Sequence, residues 1–195
     1  MSEHDPQRKT DSTPVMNLVL VSGGLNRRSS SSDLAETIGA HAVAALRARG
    51  VRCNVTKVSV RHLLVGIAHR LSMGVVDPEL RSALAAVNAS DGLVAVAPVF
   101  NGQIAGHTKA FFDLIEPGGL KGIPVAFGAT GGSKRHSLVV EMNLRPLFAY
   151  LRALPTPTAV FSAKGDDAAE ETAARAAAAG RELAEAMLLL RSHTP

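Results

Sequence analysis

Five short apolar runs, each halted by small or turn-forming residues and each followed by a segment of helical spacing, constrain this chain more than any other feature. The runs are "VMNLVLVSGG" (15–24), "VRCNVTKVSV" (51–60), "DGLVAVAPVF" (91–100), "GIPVAFGATGG" (122–132) and "TPTAVFSA" (156–163). Near-continuous apolar strands of this kind are those buried on both faces, which is the signature of a parallel sheet. The intervening segments supply the crossovers. In "DLAETIGAHAVAALRARG", Leu34, Ile38, Ala42 and Leu46 recur every four residues, Asp33 and Glu36 suit the first turn, and Gly50 ends the run. "VDPELRSALAAVNAS" enters on Pro78 and carries Leu80, Leu84 and Val87 on one face. Further helices are expected from about His107 to Glu116, over "HSLVVEMNLRPLFAYLRA", and over the Ala-rich C-terminal stretch, whose early acids and late Arg191 suit the helix dipole. Right-handed crossovers then give an α/β, three-layer sandwich around a five-stranded parallel sheet, in the order 2-1-3-4-5. Pro146 breaks the pattern: it must kink its helix, begin a new segment or sit beside a bulge.

The 195 residues are 46% hydrophobic, enough to bury one substantial core, and show no second compositional regime. One domain is expected over 16–195. The polar segment 1–15 reads as a disordered tail with no signal-peptide core. No apolar stretch is long enough to span a membrane. A single cysteine, Cys53, permits no internal disulfide and suits a reducing cytoplasm. The net charge of +4 is spread over scattered or paired basic residues, and aromatics make up only 4%, so a nucleic-acid partner is not expected. The seven histidines show no metal-ligand spacing, and no metal is expected. No Ser stands in G-x-S-x-G.

In a sheet of this order ligands lie beyond the carboxyl ends of the strands, where the chain direction switches. Three small-residue loops meet that edge. The first holds Ser22, Ser29, Ser30 and Ser31 before a helix start, a pattern that suits a phosphate, although a serine run is also compatible with a flexible loop. It is neither a Walker loop nor G-x-G-x-x-G. The second, Pro98–Gln103, reads equally as a plain turn after a core strand. The third, Thr130–Ser137, offers backbone N–H groups and ends in Lys134, Arg135 and His136, cations at a helix start that point to an anionic partner. Lys109 and Asp113 fit an exposed i,i+4 ion pair, while Phe111 and Phe112 read as core.

Taken together, "SDGLVAVAPVFNGQIAGHTKAFFD" and "GIPVAFGATGGSKRHSLVVEMNLRPLFAYLRALPTPTAVF" resemble the flavodoxin-like, NAD(P)H-dependent FMN reductases, most nearly those that feed reduced flavin to luciferase-like monooxygenases. The resemblance runs from about Met16 to Ser162. It implies FMN phosphate at Ser22, Ser29, Ser30 and Ser31. It places the isoalloxazine against Pro98, Val99, Phe100, Asn101 and Gly102, with Thr130, Gly131, Gly132 and Ser133 along the other edge. It further implies NADPH or NADH as reductant and a monooxygenase as partner. A homodimer or homotetramer is expected from the apolar excess at Phe111, Phe112, Leu147, Phe148 and Leu151. Two departures stand out. The first loop reads "SGGLNRRSSSS" where the family more often has Gly-Ser-x-Arg, and Met142 stands where relatives carry the tyrosine of a π-bulge. Direct hydride transfer needs no acid–base side chain, so no catalytic residue is assigned. Two alternatives remain at this stage: an FMN-bound quinone, azo or metal-ion reductase, and a flavodoxin-like electron carrier. The sequence pI near 9.6 disfavours the carrier. With no Trp and only Phe100 near the ring loops, FMN is expected to leave as a product as well as to serve as cofactor.

Overall fold

The computed structural model describes residues 14–27, 29–165 and 169–192. The expected tail therefore falls outside the described residues as far as residue 13, and the first strand opens at Val15. The elements, in chain order, are β1 (Val15–Ser22), α1 (Ser30–Ala48), β2 (Arg52–Ser59), α2 (Leu64–Met73), α3 (Pro78–Asn88), β3 (Gly92–Phe100), β4 (Gln103–Ile104), α4 (Gly106–Phe112), β5 (Pro124–Gly131), α5 (Arg145–Tyr150), β6 (Leu154–Pro155), β7 (Val160–Ala163) and α6 (Ala169–Arg191). The sheet runs β2-β1-β3-β5-β6, all parallel, with β7 also pairing β5 and the short β4 folding back antiparallel on β3. This is the expected 2-1-3-4-5 order, with two details added. The last strand is split around Thr156–Ala159, and a two-residue hairpin arm follows β3.

Both faces of the sheet are covered, which is why β3 is apolar throughout and β1 and β5 nearly so. Met16, Leu18 and Leu20 of β1, with Val94 and Val96 of β3, pack under α1 and α6. Val19 and Val21, with Leu93, Ala95, Ala97 and Val99, enter the opposite core with residues of α3, α4 and α5. On the first face α6 lies close against α1: a Cβ at Gly180 would come within 2.6 Å of the Ile38 carbonyl oxygen. The Ala-rich composition of α6 is thus a requirement of close helix contact. On the second face Phe111, Phe112, Phe127 and Phe148 form a ring cluster with centroid spacings of 5.2–6.0 Å, edge-to-face at Phe111–Phe112 and Phe112–Phe148 and tilted at Phe127–Phe148. Phe111, Phe112, Phe148 and Leu151 are therefore core residues of a single protomer.

The sequence reading places no helix over 60–73, yet a 3-10 turn at Val60–Leu63 leads directly into α2. Gly66 and Ile67 are its buried residues, while Val65, Leu71 and Met73 face solvent. Pro146 behaves in two of the expected ways at once. A π turn over Val140–Leu144, in which the Arg145 N–H reaches back to the Val140 carbonyl, precedes a new helical segment with Pro146 in its first turn. Arg145 fastens this irregularity. Its guanidinium pairs with Glu141, donates to the carbonyls of Thr156 and Pro157 at 3.0 Å each, and lies 4.8 Å from the Phe127 ring centroid. The hydrogen bond from Arg145 holds the Glu141 carboxyl below its ordinary range.

Candidate cofactor site at the carboxyl edge of the sheet

The loops after β1, β3, β5 and β7 enclose an open cleft of about 390 Å³, within the range of small-molecule sites. Its floor at one end is the start of α1. Ser29 takes the N-cap position in extended conformation (φ −123°, ψ 119°), and its hydroxyl makes no cap hydrogen bond. The first intrahelical bond runs from the Asp33 N–H to the Ser29 carbonyl. Helix geometry therefore leaves the N–H groups of Ser30, Ser31 and Ser32 without an intrahelical acceptor, at the positive end of a 19-residue helix. Gly24 lets the loop close over this turn, since a Cβ there would collide with the Ser29 hydroxyl and lie 2.6 Å from its Cβ.

Hydrogen bonds tie this loop to its neighbours. The Ser31 and Thr130 hydroxyls meet at 2.6 Å, a buried link between α1 and the end of β5. The Ser22 and Ser32 hydroxyls meet at 2.9 Å. The imidazole Nε2 of His107 lies 2.6 Å from the Gly23 carbonyl oxygen.

The opposite rim is built differently. Phe100 pairs with Gln103 and Val99 with Ile104, so Asn101 and Gly102 form a two-residue hairpin turn. Both have positive φ, 50° and 81°, as a type I′ turn requires and as an Asn-Gly pair supplies at low cost. The hairpin holds Phe100 at the lip of the cleft, 51% exposed.

Nine residues singled out in the sequence line one cleft: Ser29, Ser30, Ser31, Pro98, Val99, Phe100, Thr130, Gly131 and Gly132. Four others stand behind it. Ser22 bonds to Ser32, Asn101 and Gly102 shape the hairpin, and the Ser133 hydroxyl accepts from the Arg135 N–H in a 3-10 turn at Lys134–His136. Leu25, Asn26, Ser162, Ala163 and Lys164 complete the lining with Gly24 and were not singled out. The last three arrive through pairing of Thr130 with Ser162 and Gly131 with Ala163, closed by a 2.9 Å bond from the Lys164 N–H to the Gly131 carbonyl. No local pattern encodes that register. Asn-Gly, by contrast, was a readable hairpin signal.

The cleft fits an anionic mononucleotide. It presents helix-start N–H groups and serine hydroxyls, and among the described residues its one charged lining residue is Lys164, with no Asp or Glu in the lining.

A family profile described as NADPH-dependent FMN reductase matches residues 16–167. Among characterised proteins, the chain is 38% identical over 173 residues to NADH-dependent FMN reductase SfnE of Pseudomonas putida, covering 89% of this chain and 90% of that one. It is 30% identical over 154 residues to an FMN reductase (NADPH) of Pseudomonas aeruginosa, covering 79% and 80%. An oxidoreductase structure from Corynebacterium diphtheriae superposes with a TM-score of 0.85 at 36% identity, over 90% of this chain and 98% of that one.

Proposed function

The chain belongs to the NADPH-dependent FMN reductase family, and from that premise we propose that FMN occupies the cleft with its phosphate at the start of α1. The protein is an NAD(P)H:FMN oxidoreductase of flavodoxin-like fold. Bound FMN supplies the acceptor for a hydride from NADH or NADPH. The chain's own residues bind and orient. Ser29 and Ser30 offer hydroxyls, Ser30 to Ser32 offer N–H groups, and Lys164, beside Gly131, adds a positive charge to the lining. Pro98, Val99 and Phe100 line one side of the ring position, with Thr130, Gly131 and Gly132 along the other. Ser22, Asn101, Gly102 and Ser133 act from behind these contacts. No side chain is asked to move a proton, in keeping with a cleft lined by small, apolar and hydroxyl-bearing residues.

The observation that carries this reading is the start of α1, whose first N–H groups lack intrahelical acceptors and open onto a cleft lined, among the described residues, by a lysine and no carboxylate. Residues 16–195 act as one reductase domain in the cytoplasm, where its nicotinamide reductant is made. The open rim, with Phe100 as its only aromatic side chain, supports release of reduced flavin to a partner monooxygenase. Exposed Leu138, Met142 and Tyr150, around the π turn and α5, support a homo-oligomer formed through that face.

The test follows nicotinamide oxidation, with NADH and NADPH separately, in the presence and absence of added FMN and of a quinone. Turnover that requires free FMN is the expected result. Turnover with protein-bound FMN and a quinone alone would place the enzyme among acceptor reductases. No oxidation of either nicotinamide would leave a carrier.

A further inference from the structure

Behind the cleft, the β1–α1 loop rests on the start of α4. A Cβ at Gly23 would overlap the Thr108 hydroxyl and lie 2.9 Å from Pro98 Cδ, so the loop is pressed onto α4 at this point. There His107 Nε2 stands 2.6 Å from the Gly23 carbonyl oxygen. A carbonyl only accepts, so Nε2 carries the proton and donates. The other end of that peptide is the Gly24 N–H, and Gly24 lines the cleft. In a planar trans peptide the C=O and N–H point in opposite directions, so fixing the Gly23 carbonyl aims the Gly24 N–H. The protein partner for that N–H is the Ser22 hydroxyl at 3.4 Å, too long for a strong bond. The donor is thus oriented, weakly used within the protein, and part of the loop to which the proposed function assigns the flavin phosphate.

Resting on that reading, we infer that His107 is a positioning residue for phosphate recognition: it orients and polarises the Gly23–Gly24 peptide so that the Gly24 N–H becomes a donor to the flavin phosphate. A hydrogen bond accepted at the carbonyl end of a peptide strengthens its N–H as a donor. His107 also meets Phe100, with ring centroids 6.4 Å apart and planes tilted by 47°. The same side chain therefore touches the supports of both ends of the cleft, and its two roles are separable by chemistry. Donation acts at the phosphate end. Ring contact acts at the Phe100 end.

Two substitutions divide the roles. His107→Phe keeps a ring beside Phe100 and removes the donor, while His107→Gln removes the ring and keeps an N–H donor. Dissociation constants for FMN and for riboflavin, which lacks the phosphate, are measured for the wild-type enzyme and both variants, with thermal unfolding as the fold control. In His107→Phe, FMN affinity falls about tenfold, as for one lost charge-assisted hydrogen bond, while riboflavin affinity holds. His107→Gln restores most of the preference for FMN. An unchanged FMN-to-riboflavin ratio in a folded His107→Phe enzyme overturns the inference, as does an equal loss of both flavins. If His107→Phe does not fold, the Gln variant decides: retention of the wild-type ratio supports the donor role and its loss refutes it. A wild-type enzyme that binds FMN and riboflavin equally would remove the phosphate from this loop and the inference with it, an outcome distinct from failure in the variants alone.

Discussion

The two ends of the cleft are built by opposite means. At the α1 end, Ser29 and Ser31 are buried, the hydroxyls of Ser31 and Thr130 are locked together, and His107 holds the Gly23 carbonyl. At the hairpin end, Phe100 and the Asn101 turn stand in solvent, and Gly132 has no heavy atom within 4 Å of where a Cβ would be. A charged phosphate needs donors already in place, because reorganising them on binding would cost much of what they contribute. A flavin ring that must meet a nicotinamide and then leave needs an open rim. Under the proposed function, anchoring and turnover fall to two differently built loops, one buried and hydrogen-bonded, the other exposed.

The sharpest way to break the rigid end is Gly24→Ala. The added methyl displaces Ser29 from beneath the loop, and overpacking of this kind costs about 1–3 kcal/mol. FMN affinity is expected to fall by as much as ~100-fold, measured by quenching of flavin fluorescence, with riboflavin affinity much less affected. Affinity within twofold of wild type would show the loop to be pliable and remove the contrast.

Thr130→Val comes next. It preserves shape and orphans the Ser31 hydroxyl, which is only 1% exposed. An unsatisfied buried hydroxyl costs about 1–3 kcal/mol, and for a chain of this size 2 kcal/mol lowers Tm by about 4–8 °C. Calorimetry of the apoprotein reads this directly, and an unchanged Tm would mean that the link does not stiffen the site.

Phe100→Ala probes the open end. Its exposure predicts a stability change within about 0.5 kcal/mol. Loss of one aromatic surface should weaken flavin about tenfold, on the scale of ~1–3 kcal/mol for base–aromatic stacking. FMN and riboflavin should lose equally, the reverse of the Gly24→Ala pattern.

The smallest effect is expected from Lys164→Gln. An exposed cation contributes up to about 1 kcal/mol, so FMN should weaken about twofold at low salt. The difference should vanish as ionic strength rises through physiological values.

Much of this was readable in the chain, for identifiable reasons. Strands buried on both faces carry few polar positions, Asn17 and Ser22 in β1 and Thr130 in β5, so β1, β3 and β5 stand out along the sequence. The sequence sets a capping arrangement at Asp33 and Glu36 and leaves the serines in the loop before it, whereas α1 opens at Ser30 with Ser29 as its N-cap, because a serine run reads alike as loop and as first turn. α2 went unassigned although it is amphipathic: it is only ten residues long, and Val65, Leu71 and Met73 add apolar residues that face solvent. The split of the last strand was hidden because Arg145, from another element, holds the Thr156 and Pro157 carbonyls that would otherwise continue the sheet.

The sequence alone settled the alternation of strand and helix, hence the parallel sheet and its order, because these depend on local periodicity and on the handedness of L-residue chains. Only the tertiary structure decided which residues at the carboxyl edge of that sheet share a cleft. It brought Lys164 beside Gly131, separated Ser22 and Ser133 from the lining, and set His107 against the Gly23 carbonyl. The two contacts join residues 33 and 84 positions apart, the excluded serines differ only in how their side chains turn, and neither separation nor orientation leaves a trace in local sequence pattern.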